Sequence, residues 1–345
     1  MQQTQMQGTQ TVAVVICTYC ASDVIEACLD SLAATTGARL HVAVCDNASP
    51  DDTVAVVTDW ALRHGVTMGH AHAGDSSAGD IGTKDALPWL TLVQAPSNLG
   101  FAGGVNAGLT WFLSRPEIDL FWVLNPDSLV RPDTAAAYVA RANAVGAFGL
   151  MGGRTQFVEA PGLIQSDGGR VRHWTGGVCL NVNNGVMPDA ATLPAADSLD
   201  FLSGANVVAS RAFLQAVGLM KEDYFLYYEE VDWAYRRGNL PLVTCPDAVV
   251  YHHGGTAIGS SVLGRPASAF ANYFIFRNRM RFVARFAWAK LPVAYAVSLA
   301  QIAKMVWRGG RSEAISALRG LHGLQPPLAV QDRVAPDARA RAFGR

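Results

Sequence analysis

The run Thr11–Cys17, TVAVVIC, constrains this chain more than any other feature. It carries no charge, is rich in β-branched side chains and offers no polar face. A strand of that kind is buried on both sides, as in a parallel sheet covered by helices. After a polar turn, Asp23–Leu32 repeats apolar residues at helical spacing. His41–Cys45 forms a second apolar strand that ends at Asp46, and Asp51–His64 reads as a second helix. This alternation predicts an α/β fold with a Rossmann-like, doubly wound, mostly parallel sheet. Ligands of such sheets bind beyond the carboxyl ends of the strands. Tyr19, Asp46 and Asp127 fall there.

Further along, Gly65–Asp85 is rich in Gly, Ser, Asp and His and reads as a loop or insertion. Within it His70 and His72 suit a solvated loop better than a metal site. Leu90–Val93 is a third strand, and a glycine-rich segment, Asn98–Gly108, leads to a helix at Leu109–Leu113. Leu120–Leu124 is a strand stopped by Asn125-Pro126-Asp127, because proline cannot sit inside a sheet. Residues 155–200 read as hairpins lying on the sheet. Asp200–Val208 reads as a strand, Ser210–Val217 and Glu229–Arg237 as helices, and Pro246–Tyr251 as the last strand. From Phe270 to about Leu321 the pattern is helical, basic and aromatic. The end, with Pro326, Pro327 and Pro336, reads as loose. No internal repeat is evident.

Charge divides the chain. Residues 1–264 hold 13 Lys and Arg against 25 Asp and Glu, and residues 265–345 hold 14 against 3. A basic segment on an acidic body suits an anionic membrane surface or an anionic lipid substrate better than nucleic acid, which the body would repel. Only 16% of residues are charged, against the usual 25% or so, so some apolar surface is expected to face something other than water. Arg277, Arg279, Arg281, Arg285 and Lys290 interleave with Phe274, Phe276, Phe282, Phe286 and Trp288. Their basic side is expected to face lipid headgroups or an acceptor diphosphate, with some aromatics packed on the sheet. Residues 291–307 are too short and too interrupted to span a bilayer but suit its interface. The polar N-terminus reads as no signal peptide, and six cysteines with one lone C-x-x-C read as reduced thiols of a cytoplasmic protein.

Three constellations carry chemistry. Asp46 ends a strand beside Asn47 and Ser49, placed either to accept a hydrogen bond from a base or ribose or to close an Asx-turn. Asp127 lies at a strand tip, where one carboxylate can hold Mg²⁺ or Mn²⁺ whose other ligands are phosphate and water, or can simply cap a turn. Tyr227-Tyr228-Glu229-Glu230-Val231-Asp232-Trp233 sets three carboxylates among aromatics at a helix start. That suggests a general base beside a sugar platform, against ordinary acidic capping. His252 follows the last strand and completes the set.

Taken in order, VAVVICTY, VCDNAS with DDT, NLGFAGGVNAG, NPD, DFLSGANVVASRAF, YFLYYEEVDWAYR, VVYHHGG and FRNRMRF resemble the inverting family 2 glycosyltransferases of the GT-A fold. The likeness is to the bacterial rhamnosyltransferase-like branch and covers roughly residues 11–285. It implies a catalytic domain at 1–264, with a nucleotide-sugar half at about 11–130 and an acceptor half at about 131–264, and a helical extension at 265–345. Asn125-Pro126-Asp127 stands where the family writes D-x-D, so Asp127 would hold the cation. Asn125 departs from the first aspartate and brings no charge. The resemblance also implies that Thr18, Tyr19 and Asp46 line the nucleotide pocket and that Asn98, Gly100, Phe101, Gly103 and Asn106 shape the diphosphate cradle. His252 would complete the metal shell, with Ser203, Gly204 and Trp233 near the acceptor. Glu230 stands where the family has an aspartate base, and Asp232 is the alternative.

The implied activity is metal-dependent transfer, with inversion, of a sugar to a saccharide or polyprenyl-diphosphate-linked acceptor in cell-surface polysaccharide synthesis. The donor is expected to be dTDP-L-rhamnose, with a UDP-sugar such as UDP-galactofuranose as the alternative. The protein is expected in the cytoplasm, attached peripherally at the inner face of the plasma membrane. A noncatalytic sugar- or lipid-binding homologue is a rival reading. A nucleotidyltransferase is disfavoured, since Thr18–Ser22 offers no basic phosphate-binding signature.

Overall fold

The computed structural model describes residues 10–75, 87–254 and 265–344. Elements follow in the order β1 (Thr11–Thr18), α1 (Ile25–Ala33), β2 (Arg39–Asp46), α2 (Thr53–Arg63), β3 (Met68–His72), β4 (Leu90–Gln94), α3 (Gly100–Leu113), β5 (Leu120–Leu124) and β6 (Ser128–Val130). Next come α4 (Thr134–Val145), β7 (Leu150–Phe157), β8 (Ile164–Ser166), β9 (Gly169–Arg172), β10 (Val178–Asn181), β11 (Asn206–Ser210), α5 (Arg211–Val217), α6 (Glu229–Tyr235) and β12 (Leu242–His252). The C-terminal region holds α7 (Ala269–Phe286), α8 (Leu291–Trp307), α9 (Arg311–Leu321), α10 (Leu328–Gln331) and α11 (Arg339–Phe343).

One sheet runs β3-β4-β2-β1-β5-β11-β7-β12-β6, with β8 paired to β7. The five strands from β3 to β5 are mutually parallel, and β11 enters antiparallel between β5 and β7. Alternate side chains of β1 feed two cores. Ala13, Val15 and Cys17 pack toward α3, while Val12, Val14 and Ile16 pack toward α1, α2 and α4. Burial on both faces explains the unbroken apolar run, each fully buried Val or Ile contributing about 1.5–3 kcal/mol. The β9–β10 hairpin lies apart as a two-stranded sheet.

Several expectations need correction. Within residues 65–85, β3 is an edge strand on β4, with exposed histidines alternating with buried Gly69 and Ala71; residues 76–85 lie outside the described ones. The glycine-rich segment is helix α3 itself. A Cβ at Gly104 would stand 2.4 Å from Cys17 Sγ, and one at Gly108 would stand 2.6 Å from Val15 Cγ1. Missing side chains let this helix sit directly on β1, which outweighs glycine's poor helix propensity. The last strand starts at Leu242, and Pro246 falls in an irregularity between Cys245 and Val249, where proline is tolerated. The C-terminal end is packed: Val330, Val334 and Phe343 share a core with Phe270 and Phe274 of α7. All six cysteines are free thiols.

The arginines of α7 also differ from expectation. Arg277 and Arg279 are buried, and Arg285 pairs with Asp223 and Asp232. Arg281 donates to the Asp223 carbonyl. These cations face the protein, so they do not form a lipid-facing stripe.

Candidate active site

Strand register builds the first corner. Thr18 and Asp46 are partners at the ends of β1 and β2. Thr18 Oγ1 donates to Asp46 Oδ1 at 3.4 Å, and the Ser49 amide donates to Asp46 Oδ2 at 3.1 Å. Asp46 thus holds the backbone three residues on, with its carboxylate at the head of the sheet. Tyr19 follows, half-buried, in the same rim. Asn47 donates to the Gly100 carbonyl at 2.9 Å, and Asn98 Oδ1 accepts from the Gly100 amide. Gly100 has φ +76°, and a Cβ there would lie 2.4 Å from the Phe225 carbonyl oxygen. The Phe101 amide donates to that same oxygen at 2.8 Å. The cradle residues Gly100 and Phe101 therefore abut the segment that leads to Glu230. Gly103 sits one turn on, its missing Cβ facing Leu99 and Glu222. Asn106 is further down α3, where both its donors are engaged by the Met220 carbonyl and Glu222 and its oxygen accepts from the Met220 amide. It braces the 220–222 turn from inside the fold.

A second corner forms because β12 pairs with β6, setting His252 opposite Ser128. His252 Nε2 comes within 3.1 Å of Asp127 Oδ1, and Asn125 Nδ2 lies 3.0 Å from the same nitrogen. On its other side His252 Nδ1 donates to Gln165 Oε1 at 2.7 Å. That bond turns the ring so that Nε2 faces Asp127. Asp127 and His252 are both buried, and the buried Asn125 Oδ1 has no partner. An imidazole nitrogen and a carboxylate oxygen turned toward each other are ligand types that suit a divalent cation. Among the described residues no group of three His, Cys, Asp or Glu could hold one. A cation here would complete its shell with phosphate and water. Sequence reasoning missed Gln165, since a lone glutamine in a turn-rich segment carries no signal.

The third element is the stretch 222–232. Phe225, Tyr227 and Tyr228 have φ of 63°, 68° and 76°. Each such non-glycine residue costs on the order of 1–3 kcal/mol unless its surroundings enforce it. Here α7 enforces it. Asn278, fully buried, sets Nδ2 at 2.7–2.9 Å from the carbonyls of Tyr224, Leu226 and Tyr227, and Arg277 donates to Tyr224 O at 2.8 Å. The turn delivers Glu229 and Glu230 at the start of α6. Glu229 is buried, and Glu230 is partly exposed. Burial pushes the Glu230 carboxyl up to about 7. Burial, then the charge of Glu230, holds Glu229 well above the carboxylate range. One oxygen of each carboxyl has no hydrogen-bond partner, while backbone amides at the start of α6 partly offset the burial. Glu230 is thus the member of the pair that ionises near neutrality while remaining reachable.

These pieces meet. A Cβ on Gly204 would lie 3.5 Å from Glu230 Cβ and 3.7 Å from Phe101 Cε1. Beside Gly204, Ser203 Oγ accepts from the Ala205 amide, and the Ala205 carbonyl accepts from the Asn125 amide at 3.1 Å. Gly204 therefore borders both Glu230 and Phe101, and the adjacent Ala205 ties this strip to Asn125. Two expected residues do not join them. Trp233 is fully buried against Phe213 and donates Nε1 to the Gly218 carbonyl; a core tryptophan cannot meet an acceptor. Asp232 is also fully buried, paired with Arg236 at 2.6 Å and with Arg285, and it accepts from Tyr224 OH. Two guanidinium partners make it an anchor for α6 and a poor candidate for the base.

Comparisons with known proteins agree with this architecture. Residues 13–74 match the family model described as Glycosyl transferase family 2. Over 195 residues the chain is 24% identical to the low-salt glycan biosynthesis hexosyltransferase Agl10 of Haloferax volcanii, covering 54% of this chain and 58% of that relative. The match thus spans less than two thirds of the relative's length. Among solved structures, the mannosyltransferase PcManGT from Pyrobaculum calidifontis, in complex with GDP-Man and Mn²⁺, aligns with a TM-score of 0.53 and 18% identity over 91% of this chain and 88% of that one. TarS 1–349 from S. aureus, in complex with UDP-GlcNAc, aligns with a TM-score of 0.52 and 14% identity over 97% and 88%. At such identities the likeness establishes the fold, which is GT-A with a helical C-terminal region.

Proposed function

We propose that this chain is an inverting family 2 glycosyltransferase that moves a sugar from a nucleotide-sugar donor to a saccharide or lipid-linked saccharide. One observation carries the reading: Glu230, partly exposed and with its carboxyl pushed up to about 7, stands beside Gly204, whose neighbour Ala205 accepts a hydrogen bond from the Asn125 amide. A base with a pKa near the working pH is suited to taking a proton from a hydroxyl. The family match and the nucleotide-sugar complexes of the structural neighbours support the donor class.

In the proposed reaction the Glu230 carboxylate removes the acceptor hydroxyl proton. The oxygen forms a bond to the anomeric carbon as the bond from that carbon to the diphosphate oxygen breaks, and the nucleoside diphosphate leaves with the bonding pair. Attack from the opposite face inverts the configuration. Asp127 and His252 would hold Mg²⁺ or Mn²⁺, which would supply positive charge to offset that on the departing diphosphate; PcManGT is seen in complex with Mn²⁺. Thr18, Tyr19 and Asp46 would border the nucleoside, and Gly100, Phe101 and Asn98 the diphosphate. Ser203 and Gly204 would meet the acceptor. By resemblance the donor is dTDP-L-rhamnose.

Calorimetric titration with dTDP-rhamnose, UDP-galactofuranose, UDP-GlcNAc and GDP-mannose, each with and without Mn²⁺, tests this. The proposal expects one donor to bind at least tenfold more tightly with the metal. Failure of every nucleotide sugar to bind would overturn it.

A further inference from the structure

Helix α8 is inverted relative to an ordinary surface helix. Its inward side carries Ala294, Ser298 and Ile302, and Ser298 is 0% exposed, donating to the Ala294 carbonyl at 2.6 Å. At 3.6 residues per turn, Val293, Tyr295, Leu299, Val306 and Trp307 share the outward side, all exposed, with Trp307 at 83%. Pro292, Ala296, Ala300 and Ala303 fill the rest of that side, and Lys304 is the one charged residue on it. Exposed Trp288, at 75%, and exposed Ile315 and Leu318 of α9 lie on the elements either side of α8. Isolated exposed apolar residues are ordinary, but a whole helix side is not.

Charge indicates what covers this side. Between residues 287 and 327 the chain has five cations, Lys290, Lys304, Arg308, Arg311 and Arg319, and one acid, Glu313. Four of the five are exposed. Two exposed tryptophans bracket an apolar strip edged with cations, the composition of a helix lying in a bilayer interface. No helix among the described residues is long and apolar enough to cross a membrane, so the arrangement suits lying on one. We propose that the outward side of α8, with Trp288 and the neighbouring part of α9, docks on an anionic lipid surface. The α7 arginines are not part of this surface. The proposal is independent of the reaction assigned to the active site.

The test is co-sedimentation of the full chain with vesicles of phosphatidylcholine alone and of phosphatidylcholine with 30% phosphatidylglycerol, read together with tryptophan fluorescence. Binding to the anionic vesicles, a blue shift of emission and release by 0.5 M salt are expected. Lys304→Ala and Arg308→Ala should each weaken binding about fivefold. Leu299→Ser with Trp307→Ser should reduce it at least tenfold while circular dichroism and donor binding stay unchanged, since both side chains are exposed. Equal binding to neutral vesicles, or none to either, overturns the proposal. So does a dimer in sedimentation velocity that Leu299→Ser converts to monomer, because a second copy would then cover the strip.

Discussion

The two halves of the proposed site are held in place by different means. The Asp46 and Asp127–His252 corners are set by strand register: Thr18 pairs with Asp46, and Ser128 pairs with His252. Main-chain hydrogen bonds of one sheet fix them. The Glu230 corner is set by a turn with three left-handed non-glycine residues, pinned by side chains of α7 some fifty residues further along the chain. One corner is a consequence of the sheet. The other is a strained conformation that depends on a distant helix. The C-terminal region thus acts as part of the site's scaffold.

The comparison can be broken most severely at Glu230. Glu230→Gln should bind donor normally and lose about 10²–10⁴ in kcat, with thin-layer or coupled assays reading the loss. Gly100→Ala strikes the joint between the corners. It adds a Cβ at a φ of +76° and against the Phe225 carbonyl, so stability should drop by roughly 1–3 kcal/mol and both donor affinity and kcat should fall. Asn278→Ala should act on one corner only. Each carbonyl left unpaired costs about 1–3 kcal/mol, and kcat should fall while Mn²⁺-dependent donor affinity stays. Equal loss of both would merge the two corners into one unit. The smallest effect is on stability. A carboxyl raised from 4.5 to about 7 on folding keeps its proton longer than in the unfolded chain. Stability therefore falls as pH rises through that window, and Glu230→Gln should flatten the fall, as chemical denaturation across pH would read.

Legibility follows the same division. The strands β1, β2 and β5 were readable from their apolar runs, and with them the positions of Asp46 and Asp127 at strand ends. Where tertiary contact decides, the sequence was mute or misleading. Gly100–Gly108 reads as loop because the side chains that make it helical belong to β1 and Asn47. Asn106 and Trp233 sit in motifs of the right wording, yet their polar atoms close internal turns. The α7 arginines read as a surface stripe, because the groups they satisfy lie far along the chain, in the 223–232 turn, in α8 and near residues 342–344. In α8, where apolar residues dominate, the result is the opposite, with exposed apolar side chains outward and a buried serine inward.

The central claim is that Glu230, held in this turn, is the base. Its most direct test is the pH dependence of kcat at saturating donor, acceptor and metal. The account predicts an acidic limb with an apparent pKa near 7, along which kcat falls tenfold for each pH unit lost and above which it is level. A profile flat down to pH 5, or a limb near 4.5 that persists in Glu230→Gln, would contradict it.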